Sequence, residues 1–133
     1  MSRSGYHDDI EPLSLGRWRA QVASATRGKR GQKLLVDLLK ALDEMPVKRL
    51  VTDELVTSEG EFCTLGVLGK ARDIDVAGLD PEDSDKVAKT FDIAEQLARE
   101  IVFMNDEGSY GETPEERFVR MRSWVASQIR RIT

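Results

Sequence analysis

Cysteine, histidine and aromatic side chains are scarce in these 133 residues, and each shortage removes a class of chemistry. The single cysteine, Cys63, cannot close an intrachain disulfide, and a lone thiol fits a reducing cytoplasm. It precedes a small, apolar stretch and reads as a packing residue rather than a nucleophile. The single histidine, His7, lies in an N-terminal stretch of Ser, Gly, Asp and Pro without periodicity. A catalytic triad, a histidine–cysteine pair or a histidine-rich metal centre needs an ordered imidazole. Beside Asp8 and Asp9, His7 therefore reads as a solvated side chain. Aromatics make up 6% of the chain, which leaves Trp18 and Tyr6 as the candidates for any base-stacking platform. No apolar run approaches the ~20 residues that cross a bilayer, and the N-terminus lacks the apolar centre of a signal peptide. Walker, dinucleotide-binding and HExxH motifs are absent. These absences predict a cytoplasmic, non-enzymatic protein with no cofactor, no bound metal and no membrane.

The composition fits one globular domain: 40% hydrophobic, 33% charged, with a net charge of −4. A net negative molecule disfavours general nucleic-acid binding, which wants a basic footprint. The charge is unevenly spread. Residues 1–52 carry 10 Lys and Arg against 6 Asp and Glu, and residues 53–133 carry 10 against 18. No acidic side chain falls between Glu11 and Asp37, so Arg27-Gly28-Lys29-Arg30-Gly31 is the one locally uncompensated cationic cluster.

Periodicity predicts a mainly α, single compact domain of five or six helices over residues 13–133, after a loosely ordered arm over 1–12. Leu15, Trp18 and Val22 mark a first helix from Leu15 to Thr26. Leu34, Leu35, Leu38, Leu39 and Leu42 form the clearest amphipathic stripe, in a helix from Gln32 to Glu44 that Pro46 ends. β-Branched residues around Val51 and the Ser58-Glu59-Gly60 turn leave room for one small hairpin near residues 49–63. Thr64 to Arg72 reads as a short helix in which Gly66 and Gly69 admit a close neighbour, with a strand as the alternative because two glycines cost helix propensity. Asp80 as N-cap with Pro81 at the first helical position predicts a further helix start, and Asp92 either interrupts that helix or opens another. Ile93, Leu97 and Ile101 give the next apolar face, closed by Asn105-Asp106-Glu107-Gly108. Thr113-Pro114-Glu115-Glu116 is a capping box that opens the last helix, with Phe118, Met121, Val125 and Ile129 on one side and Arg117, Arg120, Arg130 and Arg131 off it.

The candidate binding residues are Arg27, Gly28, Lys29, Arg30 and Gly31, with Arg17 and Arg19 on the preceding helix. A solvated helix–helix connection explains the cluster as well as any function does, because exposed charge runs usually contribute little. Two functional readings stand beside it: a contact surface for an acidic protein, and a phosphate or nucleotide site built from backbone N–H groups and cations. Direct DNA binding by the first two helices is a third.

The order of motifs is itself informative. Arg27-Gly28-Lys29-Arg30-Gly31-Gln32, Lys48-Arg49-Leu50, Cys63-Thr64-Leu65-Gly66, Leu79-Asp80-Pro81-Glu82-Asp83 and Glu112-Thr113-Pro114-Glu115 together resemble a family of small, functionally uncharacterised proteins encoded in bacteriophages and prophages. The likeness spans Arg17 to Ile129 and brings no catalytic residues with it. It implies an accessory protein used during infection or lysogeny, acting in the cytoplasm of a bacterial host on a host or phage protein, with inhibition of a host defence system as one role. An anionic small molecule is the second partner class.

Overall fold

Four leucines decide where the core lies. In the computed structural model, which describes residues 3–6 and 11–130, α2 (Lys29–Glu44) buries Leu34, Leu35, Leu38 and Leu42 to 1% exposure or less. It packs against α1 (Pro12–Arg27), α3 (Thr64–Ala71) and α6 (Pro114–Gln128). On the same core, α5 (Glu95–Glu107) packs against α1, α3 and α6 and carries α4 (Ser84–Phe91). Phe91, Leu97, Ile101, Phe118, Met121 and Val125 fill the space between them. Among the described residues the chain is a mainly helical single domain of six helices.

Local chemistry explains most boundaries. α1 begins earlier than its apolar spacing suggests, because the Glu11 carboxylate accepts the Leu13 and Ser14 N–H groups at 3.0 Å each and Pro12 fits the first turn. Those bonds hold the Glu11 carboxyl below its ordinary range. The capping box of α6 forms as expected: Thr113 Oγ1 accepts from Glu116 N at 3.1 Å, and Glu116 Oε1 accepts from Thr113 N at 2.9 Å. α2 stops at Glu44, ahead of Pro46.

Three expectations change. The expected start of α4 at Asp80-Pro81 is a turn instead, and the helix begins at Ser84 with Asp83 as N-cap. Asp80 Oδ1 accepts from Glu82 N at 2.9 Å, and this local side-chain bond competes with helix. Asp83 Oδ1 then takes Lys86 N at 3.1 Å, which fixes the later start. Asp92 ends the helix in a left-handed conformation with φ 55°. The hairpin is reduced to one antiparallel bridge, Val56 to Phe62, across the expected Ser58–Gly60 turn. Residues 3–6, expected within a loose arm, pack onto α5: Arg3 is 5% exposed and Ser4 fully buried, with Ser4 Oγ donating to Glu107 at 2.8 Å. Arginine and serine gave no apolar signal there; hydrogen bonding places them. His7, Asp8 and Asp9 lie outside the described residues.

The arginines of α6 join helices. Arg120 donates to Met104 O at 2.5 Å and Asn105 O at 3.3 Å, so it satisfies the last carbonyls of α5 from a neighbouring helix. Its other edge takes both oxygens of Glu112 at 2.7 and 2.8 Å. Arg117 donates to Leu50 O at 2.9 Å and lies 3.3 Å from Glu112. The Glu112 side chain is only 6% exposed, and the Arg120 bonds hold its carboxyl below the usual carboxylate range.

A carboxyl depressed in the folded state contributes stability above its unfolded pKa and loses it as pH falls through the folded value. Glu112→Gln is therefore expected to cost about 2–3 kcal/mol at pH 7, as broken buried ion pairs do. The deficit narrows as pH falls below the ordinary glutamate range toward the depressed folded value, where the wild-type carboxyl takes up its proton. Urea unfolding of both proteins at pH 7 and pH 3 measures this, and an equal deficit at both values contradicts it.

Candidate functional site

The cationic cluster is not a glycine-rich linker. Arg27 is the last residue of α1, Lys29 the first of α2, and Gly28 alone separates them. Gly28 N donates back to Ser24 O at 3.1 Å, and Gly28 O accepts from Gln32 N at 2.9 Å, so one residue caps two helices. No side chain caps α2, which leaves first-turn N–H groups of a helix pointing outward beside Lys29 and Arg30. Gln32 ties the corner to the end of α6, donating to Thr26 O at 2.7 Å and Gln128 O at 3.0 Å.

Gly31 plays a different part from the one its motif suggests. It is buried inside the first turn of α2, and a Cβ there would collide with the Ala25 carbonyl oxygen and meet Leu97 at 3.1 Å. It makes the α1–α2 crossing.

The cations diverge. Arg27 lines a small cavity of about 220 Å³ with Arg19, Glu100 and Trp124. Lys29 and Arg30 line a separate cleft of about 300 Å³ with Lys33, Arg72, Phe91 and Asp92. Arg19 is committed to the nearly buried Glu100 through a fork of 2.8 and 2.9 Å, which raises its guanidinium pKa. Arg30 reaches Asp92 at 3.4 Å, exposed on both sides. Arg72 holds Asp37 at 2.9 Å and pulls its carboxyl downward. Among the described residues, Arg17, Arg27 and Lys29 have no ion-pair partner.

The aromatic candidates are also committed. Trp18 Nε1 donates to Tyr6 OH at 2.8 Å, and Tyr6 OH donates to Glu100 at 3.0 Å. The Tyr6 ring lies 4.8 Å from Phe103, and Arg99 sits 5.6 Å above Trp18. Burial, opposed by the Trp18 bond and reinforced by Glu100, pushes the Tyr6 hydroxyl pKa upward. Neither ring faces the Lys29–Arg30 cleft as one of its lining residues.

A second polar cluster fastens residue 3 to the core. Arg3 forks onto Asp106 at 2.5 and 2.8 Å and donates to Cys63 Sγ at 3.6 Å. Cys63, 1% exposed, also caps α3 by accepting from Gly66 N at 3.4 Å. Asn105 Oδ1 takes Thr64 N and Oγ1 at 3.1 and 2.7 Å. Every member has a partner, and the arrangement reads as structural.

A third concavity contains none of the candidate binding residues. It has about 680 Å³ and lies between the end of α2, the chain from Met45 to Arg49, residues 60–62 and α3. Its apolar lining comes from Ala41, Met45, Val47, Phe62, Val67 and Ala71. The one sequence signal was Met45-Pro46-Val47: apolar residues just past a helix end, with Val47 left 60% exposed.

No group of three or more His, Cys, Asp or Glu side chains among the described residues is placed to hold a metal ion, and no described helix is long and apolar enough to cross a membrane. Comparison with protein-family models, curated proteins and solved structures finds no match.

Two glycine replacements test the geometry of the α1–α2 corner. Gly31→Ala is expected to lower stability by about 2 kcal/mol or more, because its methyl meets backbone. Gly16→Ala, in open space within α1, is expected to raise stability by about 0.5–1 kcal/mol. Thermal unfolding of the pair measures the contrast, and a stabilised Gly31→Ala protein contradicts the close crossing.

Proposed function

We propose that this chain is a non-enzymatic accessory protein that binds an acidic surface on a partner protein through the electropositive α1–α2 corner. The observation that carries the reading is the lining of the corner cleft, where four cations, Lys29, Arg30, Lys33 and Arg72, meet two carboxylates: Asp92 on Arg30, and Asp37 shared by Lys33 and Arg72. Cations concentrated against a molecule of net −4 steer encounter and set orientation more than they add raw affinity. Arg17, Arg27 and Lys29 supply charge that no carboxylate of the chain engages among the described residues. The phage or prophage setting implied by the motif order gives the cytoplasm of a bacterial host as the location. A host or phage protein is then the partner, and occlusion of a host defence protein is the proposed action.

A second reading draws on one specific observation. The uncapped start of α2 beside Lys29 and Arg30 suits a phosphate. A nucleotide with its base on Trp18 or Tyr6 has less support, since Arg27 turns to a different cavity and both rings are engaged elsewhere. DNA reading by α2 has the least support, because that helix spends its apolar face on the core.

The double replacement Lys29→Glu with Arg30→Glu tests the main reading. Both side chains are exposed, so stability should change by less than about 1 kcal/mol. Capture of a specific bacterial protein by the wild-type chain should be lost in the variant. Equal capture by both proteins overturns the reading. A thermal shift with inorganic phosphate or nucleotides, about 2.7 kcal/mol at 100 times the dissociation constant, would favour the anion site instead.

A further inference from the structure

The groove between α2 and α3 joins an apolar surface to two ions of opposite sign that nothing in the chain answers. Twelve residues line it, and the apolar share includes Ala41, Met45, Phe62, Val67 and Ala71. Backbone braces one wall: Thr57 N donates to Glu61 O at 2.8 Å and Val51 N to Phe62 O at 3.0 Å. Val47, 60% exposed, stands on the rim beside Pro46. Covering this surface is favourable, and the charges around it decide what can cover it.

Four charged side chains reach the lining: Glu44, Arg49, Glu61 and Lys70. Two are cations and two are carboxylates, so the groove has no net charge. Arg49 lies 3.5 Å from Glu61, and that pair is neutral within the chain. Glu44 and Lys70 form no ion pair, with each other or with any other described residue. Lys48, four residues after Glu44, spends its ammonium on Leu42 O and Asp43 O at 3.2 and 2.6 Å. The Lys70 ammonium lies 5.9 Å from the centre of the Phe62 ring. Glu44 ends α2 and Lys70 lies in the last turn of α3, so one unpaired charge of each sign stands on each helix that walls the groove.

We infer that the occupant is a second copy of this chain, related to the first by a two-fold axis through the groove. Two-fold symmetry sets a patch against itself, so a surface with one sign of unpaired charge would repel its own counterpart. This surface carries both signs. Glu44 of one copy meets Lys70 of the other, the reverse pair forms at the same time, and Val47 of each copy enters the other's groove. An uncharged ligand, or a partner of one charge, would cover the groove and leave at least one of these ions without a counter-charge. Twelve residues per copy are about half of the ~20–30 a side of a standard interface. The dimer is therefore weak and concentration-dependent. The groove lies at the other end of the 16-residue α2 from the cationic corner, and the pairing stands independently of the role proposed for that corner.

Sedimentation equilibrium of the full chain between about 1 µM and about 1 mM tests the inference. Wild type should pass from monomer to dimer within that range. Glu44→Lys and Lys70→Glu, each at an exposed position, turn both cross pairs repulsive. Either alone should weaken the dimer by about tenfold or more. An equimolar mixture of the two variants restores both attractions and should dimerise about as well as wild type. General charge attraction does not explain that result, because both variants remain net negative. Val47→Asp should weaken association by about tenfold or more, with the dilute protein's unfolding temperature near that of wild type. In an NMR dilution series of wild type, the amides that move should centre on Met45 to Val47 and Gly60 to Phe62. A chain that stays monomeric at about 1 mM, including one that takes up dodecanol in the groove instead, overturns the inference, as do shifts centred on another face. Single variants that dimerise as tightly as wild type, or a mixture that stays monomeric, overturn the Glu44–Lys70 pairing.

Discussion

The burial of the α2 leucines is the constraint from which the rest follows. Leu34, Leu35, Leu38 and Leu42 occupy two adjacent ridges of one helix, so α2 must be covered on several sides at once. α1, α3 and α6 do this, and α2 becomes an axle with one exposed stripe, Lys33, Val36 and Lys40, between two solvent-facing ends. Both candidate surfaces lie at those ends. The cationic corner occurs where α1 turns into α2 through a single glycine, and the apolar groove opens where α2 breaks at Met45 and Pro46. The surfaces are products of how the central helix starts and stops.

The sequence was most legible where the controlling interaction was local. The leucine spacing of α2 and the Thr113–Glu116 capping box each involve residues within one or two turns, and both elements formed as their patterns indicate. The Asp80-Pro81 signal was also local, but Asp80 and Asp83 each take a nearby N–H group, of Glu82 and Lys86 respectively, and nothing in one dimension ranks them as the helix start. Long-range polar contacts were illegible in principle. Arg120 satisfies α5 carbonyls and Arg19 meets Glu100 across 81 positions. The groove was hidden for the same reason: its two walls, near residues 46 and 61, are separate segments until the Val51–Phe62 backbone bond and the packing of α3 on α2 bring them together. The cationic motif was visible at once, yet its glycines misled, since Gly31 proved to be a packing position.

The uneven charge acquires a structural sense. Arg3–Asp106, Arg19–Glu100, Arg30–Asp92, Arg49–Glu115, Arg72–Asp37 and Arg122–Asp43 each join the first 52 residues to the remainder. Most such exposed pairs are individually weak. Arg3–Asp106 and Arg19–Glu100 are exceptions, because a buried carboxylate in each depends on its arginine. The excess that remains near Lys29 is what this cross-pairing leaves uncovered.

The Arg3–Asp106 fork bears on how the chain is made. A ribosome delivers residue 3 long before residue 106, so the guanidinium must wait in water while some hundred further residues emerge. Its seat beside Cys63 and Asp106 exists only after α5 has formed. The docking of residues 3–6 therefore cannot precede the formation of α5.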